Sequence, residues 1–124
     1  MRIALLSDLH LSVNLMPFPD VQADIVVLAG DIARPARAIE WARACPAPIL
    51  FVTGNHEFYG SDLASTYEQL NSLAQGTGIR VLERSEHRQD GVRFLGCTLW
   101  SDYRLFDDPD HHAGVLVQLG QQMK

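Results

Sequence analysis

A chain of 124 residues is of single-domain length, and its 47 % hydrophobic content suffices for one real core. The formal net charge of −5 argues against nucleic acid or a membrane surface as partner, because both are anionic. It also argues against holding a phosphate group, unless a bound cation reverses the local sign.

Residues 3–7, a short apolar run, stop at Asp8. Residues 24–29, "DIVVLA", form a second run rich in β-branched side chains and stop at Gly30-Asp31. Such runs suit the buried strands of a parallel sheet. Next comes "RPARAIEWARAC", where Pro35 suits a first helical turn and Ala38, Trp41, Ala42 and Cys45 follow helical spacing. Pro46 and Pro48 end it. Residues 49–53 are the third strand, ending at Gly54-Asn55. Ser61 or Asp62 caps a second helix with the stripe Leu63, Tyr67, Leu70 and Ala74, closed by Gly76 or Gly78. Residues 79–82 read as a fourth strand, and residues 92–100 as a later one after a polar turn at Gln89-Asp90-Gly91.

Alternating strands and helices are the grammar of an α/β fold with a largely parallel sheet. No repeat, linker or low-complexity segment divides the chain, so residues 1–124 are expected to be one domain. Cys45 and Cys97 lie among apolar neighbours without CxxC spacing, which predicts two buried, reduced thiols. The N-terminal apolar run is too short for a signal-peptide core or a membrane span, so a cytoplasmic protein is expected.

In parallel α/β sheets the carboxyl ends of the strands line the ligand crevice. There the chain carries Asp8 and His10, then Asp31, then Asn55 and His56. Carboxylates, an amide oxygen and imidazoles form a mixed oxygen and nitrogen donor set suited to Mn, Fe or Zn. In an extended Asp8-Leu9-His10 segment, alternate residues reach the same side. Gly30 and Gly54 remove side chains just ahead of these residues, allowing close approach.

The motifs "SDLHLS", "LAGDI" and "VTGNHEFY", in this order, resemble the D-x-H, G-D and G-N-H-[D/E] motifs of the calcineurin-like metallophosphoesterases. "FLGCTLWSDY" resembles the strand and loop that follow in a bacterial branch of that family. The resemblance covers all but about a dozen C-terminal residues. It implies the N-terminal part of a two-sheet α/β/β/α sandwich and hydrolysis of a phosphate mono- or diester, from a small molecule or a nucleotide. It further implies two divalent metal ions, with Asp8 and His10 on the first, Asp31 bridging, and Asn55 on the second. His56 is then the catalytic residue, bonding the phosphate or protonating the leaving group. Glu57 is expected either to orient His56 or to be a plain surface carboxylate. Phe58 and Tyr59 are expected to pack beneath the loop.

The family pattern continues with further histidines that end in a G-H-x-H pair, and none occurs in these 124 residues. The remaining histidines are His87, expected in a solvated turn, and His111 and His112, expected in an exposed acidic loop. The expectation is therefore a chain truncated before the later motifs, with sheet surfaces left uncovered, that either self-associates through them or is less stable than a full-length relative. The alternative function is a weakly active or inactive fragment serving as a structural or interaction module. A flavodoxin-like nucleotide-binding module fits the strand and helix order but lacks a Gly-rich phosphate loop.

Overall fold

In a computed structural model, which describes residues 1–102, the four apolar runs form one parallel sheet. Strands β1 (Ile3–Leu6), β2 (Ile25–Ala29), β3 (Ile49–Val52) and β4 (Ile79–Val81) lie in the order β1-β2-β3-β4. Helix α1 (Pro35–Ala42) joins β2 to β3, and α2 (Leu63–Ala74) joins β3 to β4. Strands laid down in chain order with right-handed crossovers put their helices on one side. That side is the main core. Val26, Leu28, Ile49, Phe51 and Ile79 of the sheet meet Ala38, Ile39 and Ala42 of α1 and Leu70 and Ala74 of α2.

Pro35 opens α1, where its fixed φ suits the first turn and its missing N–H is no loss. Asp62 caps α2 by accepting the Ser65 N–H at 2.9 Å. On the other face of the sheet, Ile25 and Leu50 pack with Leu82, Val27, Val52 and Phe94. Phe94 comes from an antiparallel hairpin, β5 (Ser85–Gln89) and β6 (Val92–Gly96). Its turn residues Asp90 and Gly91 both have positive φ, 49° and 77°, as a tight two-residue hairpin requires. The cover stops short of β1, where Ile3 and Leu5 remain 50 % and 66 % exposed.

The α/β class is as expected, but several boundaries differ. Helix α1 ends at Ala42, so Cys45 lies beyond it, and Ile39 completes its buried face. Leu63 is exposed because the inner stripe of α2 runs through Thr66, Leu70 and Ala74. β6 ends at Gly96, and Cys97 beyond it is exposed, so the pair of buried thiols is not found; both cysteines are free. His87 lies in β5 rather than in a turn. Hairpin register sets it opposite Phe94, with the rings 6.3 Å apart and the imidazole half-buried. His111 and His112 lie outside the described residues. Among the described residues, no helix is long and apolar enough to cross a membrane.

Two features fix the upper end of the sheet. The first is a polar knot. The Thr53 hydroxyl lies 2.9 Å from the Tyr67 hydroxyl and 2.5 Å from that of Thr98. Tyr67 Oη donates to Glu83 Oε2 at 2.7 Å, and the Thr98 N–H donates to the same oxygen at 3.0 Å. The knot joins the end of β3, helix α2, and the segments after β4 and β6. Burial pushes the Tyr67 hydroxyl above its ordinary pKa. Burial also pushes Glu83 upward, but the hydrogen bonds from Thr98 and Tyr67 outweigh it and hold the carboxyl below the usual glutamate value.

The second feature is a close approach. β2 and β3 end side by side at Gly30 and Gly54. A Cβ on Gly30 would lie 2.8 Å from Gly54 N, and one on Gly54 would run into the Asp31 carboxylate and lie 2.8 Å from Asp31 N. Gly30 also has φ +90°, a conformation natural only to glycine.

Tyr67→Phe removes the shared hydroxyl, and the expected loss is about 1–2 kcal/mol in urea unfolding with an unchanged m-value. The contribution of Glu83 is complete above the usual glutamate value and disappears as pH falls through its lower folded value. Glu83→Gln therefore flattens the acid limb of a stability–pH curve. Gly30→Ala is expected to cost more than about 2 kcal/mol, read as a lowered urea midpoint, since backbone strain and overpacking add.

Candidate metal centre

The residues singled out by their place at strand ends all fall beyond the carboxyl ends of β1, β2 and β3. The backbone there is not extended. Asp8, His10 and Asp31 have φ of 55°, 46° and 56°, the left-handed region, where Asp and His are enriched among residues other than glycine. The segment after β1 hangs on the segment after β2 through three N–H donors: Asp8 to Gly30 O at 3.0 Å, His10 to Asp31 O at 3.0 Å, and Leu11 to Ile32 O at 2.9 Å. The side of Asp8-Leu9-His10 that meets the site is therefore set by this lacing, not by strand alternation.

His10, Asp31 and His56 come together. Their donor atoms all lie within 4.8 Å of one another, and each residue is half-buried. The two imidazoles meet edge to face, with centroids 4.6 Å apart and planes at 73°. Asp31 Oδ1 accepts the backbone N–H of His56 at 3.0 Å, which fastens the end of β2 to the turn after β3. Asp8 lies outside this three-residue group; it is exposed, and its carboxylate accepts from the hydroxyl of Ser7. Asn55 is exposed beside the group, and its side-chain amide donates to Tyr59 Oη at 3.1 Å. The cluster thus includes His56, to which the family resemblance gives a proton-handling role rather than ligation.

Glu57 differs from both expectations. It is 0 % exposed and bonds backbone, not the His56 ring. Oε1 accepts from Ile32 N at 2.8 Å, while Oε2 accepts from Asp31 N at 3.1 Å and Gly54 N at 2.8 Å. The 3-10 turn His56–Phe58 folds the side chain back beneath both loops. Phe58 is core, as expected, 2 % exposed and 5.4 Å from the Tyr67 ring. Tyr59 instead faces the site, with its ring 4.5 Å from that of His56 and the Arg34 guanidinium 5.8 Å from its centroid.

A cavity of about 220 Å³ opens over the cluster, lined by His10, Asp31, His56, Tyr59, Arg34 and Val13 among others. Arg34 and Tyr59 were not expected here. The available sequence signal for Arg34 was its place three residues past Asp31, at the mouth of a helix opened by proline. Two imidazole nitrogens and a carboxylate fit a first-row divalent cation such as Mn, Fe or Zn.

A "Transmembrane protein with metallophosphoesterase domain" from Bos taurus is 28 % identical over 112 residues, covering 73 % of this chain and 25 % of the relative. The chain therefore spans about a quarter of the length of that curated relative. No solved structure matches. The calcineurin-like phosphoesterase family matches residues 1–113, which is most of the chain. The chain belongs to the calcineurin-like phosphoesterase family.

Proposed function

We propose that the chain hydrolyses a phosphate mono- or diester, of a small molecule or a nucleotide, at a dinuclear centre of divalent cations. The observation that carries the reading is the convergence of His10, Asp31 and His56 within 4.8 Å at the ends of three different structural segments. Asp8, His10, Asp31 and Asn55 are the residues that would hold the cations. Bound there, the cations supply positive charge that draws in phosphoryl oxygens and makes a water acidic enough to act as nucleophile.

The chain's own residues have distinct tasks. Asp31 has two carboxylate oxygens, one already steadied by the His56 N–H, so it is suited to bridging. The Asn55 amide oxygen would add a neutral ligand, which would leave the positive charge of such a centre undiminished. The His56 ring, half-buried at the cavity wall, would give a proton to the departing oxygen, the general-acid role most often filled by an imidazole. Arg34, on the Tyr59 ring at the same wall, adds a fixed positive charge to the pocket of an acidic protein.

With Mn²⁺ and bis-p-nitrophenyl phosphate, the purified chain is expected to release p-nitrophenol, and a chelator should stop it. Asp31→Asn and His56→Ala should each lower kcat by about 100-fold or more. Cation binding without turnover in the wild type supports the interaction-module alternative instead. Independently of turnover, Mn²⁺ at 100 times its Kd should stabilise the fold by about 2.7 kcal/mol, read as a raised Tm in calorimetry, with no rise in Asp31→Asn.

A further inference from the structure

We propose that Glu57 is a positioning residue. Its buried carboxylate holds Asp31 in the left-handed backbone conformation that joins it to His10 and His56, and so sets the cation affinity of the cluster. This rests on the metal-dependent reading given above and adds a residue that never touches cation or substrate.

A buried carboxylate is costly unless its lone pairs are met. Glu57 is fully buried, and among the described residues no Lys, Arg or His forms an ion pair with it. Three backbone N–H groups answer it instead, on both oxygens. Two of the three are consecutive, Asp31 and Ile32. Successive N–H groups converge on one anion when a residue among them takes the left-handed conformation, and Asp31 does so at φ 56°. The strained backbone at Asp31 and the buried charge of Glu57 therefore compensate each other. The third donor, Gly54, lies on the turn that carries Asn55 and His56.

The grip extends further. Asp31 O and Ile32 O accept the N–H groups of His10 and Leu11, so the segment after β1 hangs on the two residues that Glu57 clamps. All three members of the cluster are thus within one or two hydrogen bonds of a single carboxylate. Glu57 itself does not line the cavity, which excludes direct action on a substrate.

The test is Glu57→Gln, which keeps the shape but turns one acceptor oxygen into a donor facing an N–H. Mn²⁺ affinity is measured by calorimetry under conditions where circular dichroism shows a folded chain. Leu70→Ala, on the buried face of α2, serves as a destabilised control. The expected result is a Kd for Mn²⁺ at least tenfold weaker in Glu57→Gln and unchanged in Leu70→Ala. A smaller change in Glu57→Gln overturns the inference while leaving the phosphoesterase reading intact. A wild type that binds no cation overturns both.

A second measurement uses wild-type protein alone, so it stands even where Glu57→Gln does not fold. If the clamp sets cation affinity, a cation must tighten the clamp by the same factor. Amide exchange of Asp31, Ile32 and Gly54, followed by NMR, should slow at least tenfold on saturation with Zn²⁺. Unchanged exchange at these amides, with Zn²⁺ bound, overturns the inference.

Discussion

Two strand ends lie closer together here than any side chain permits. Gly30 and Gly54 bring the exits of β2 and β3 into backbone contact, and the carboxylate of Asp31 occupies the space where a Cβ of residue 54 would be. Everything about the cluster follows from that approach. It lets Asp31 Oδ1 reach the His56 N–H and lets one glutamate gather N–H groups from both exits. Sheet register places the exits side by side, since Ala29 stands opposite Val52. The glycines then remove the last obstacle to contact. Packing of the helical face supplies the rigidity behind it, with Phe51 and Leu28 fully buried one residue before the strands end.

The electrostatics of the site contrast with those of the chain. A net charge of −5 would repel a phosphate ester from most of the surface. At the cavity the balance differs. One carboxylate faces two imidazoles and the Arg34 guanidinium, and the buried charge of Glu57 is consumed by backbone donors beneath. Cations bound among these residues would make the pocket distinctly positive on an acidic protein, which is a means of selecting anionic substrates locally.

Much of the framework was legible in the sequence because β1, β2 and β3 are each an uninterrupted apolar run that gives way to a glycine or a polar residue. The positions of Asp8, Asp31 and Asn55 beyond the strand ends were legible for the same reason. What escaped notice were features decided by tertiary contact. The strand Ser85–Gln89 is written almost entirely in polar residues, and only its pairing with Val92–Gly96 and the packing of Phe94 reveal it. Glu57 carries no local sign of burial, because two of its three partners, Asp31 and Ile32, are backbone groups from the loop after β2. The left-handed turn at His10 was hidden too. It depends on lacing to the segment after β2, which no local pattern encodes.

The left-handed backbone at positions 8, 10 and 31 also limits how such a site can vary. Aspartate and histidine are attractive to divalent cations, and they are also among the few side chains that tolerate this conformation. In the proposed metal site each position would therefore answer to two independent demands, one chemical and one steric. Glutamate at residue 31 would match the charge yet lack the short side chain that eases the turn, while glycine would ease the turn and bring no oxygen. The alphabet open to each of these positions is narrower than coordination chemistry alone would set.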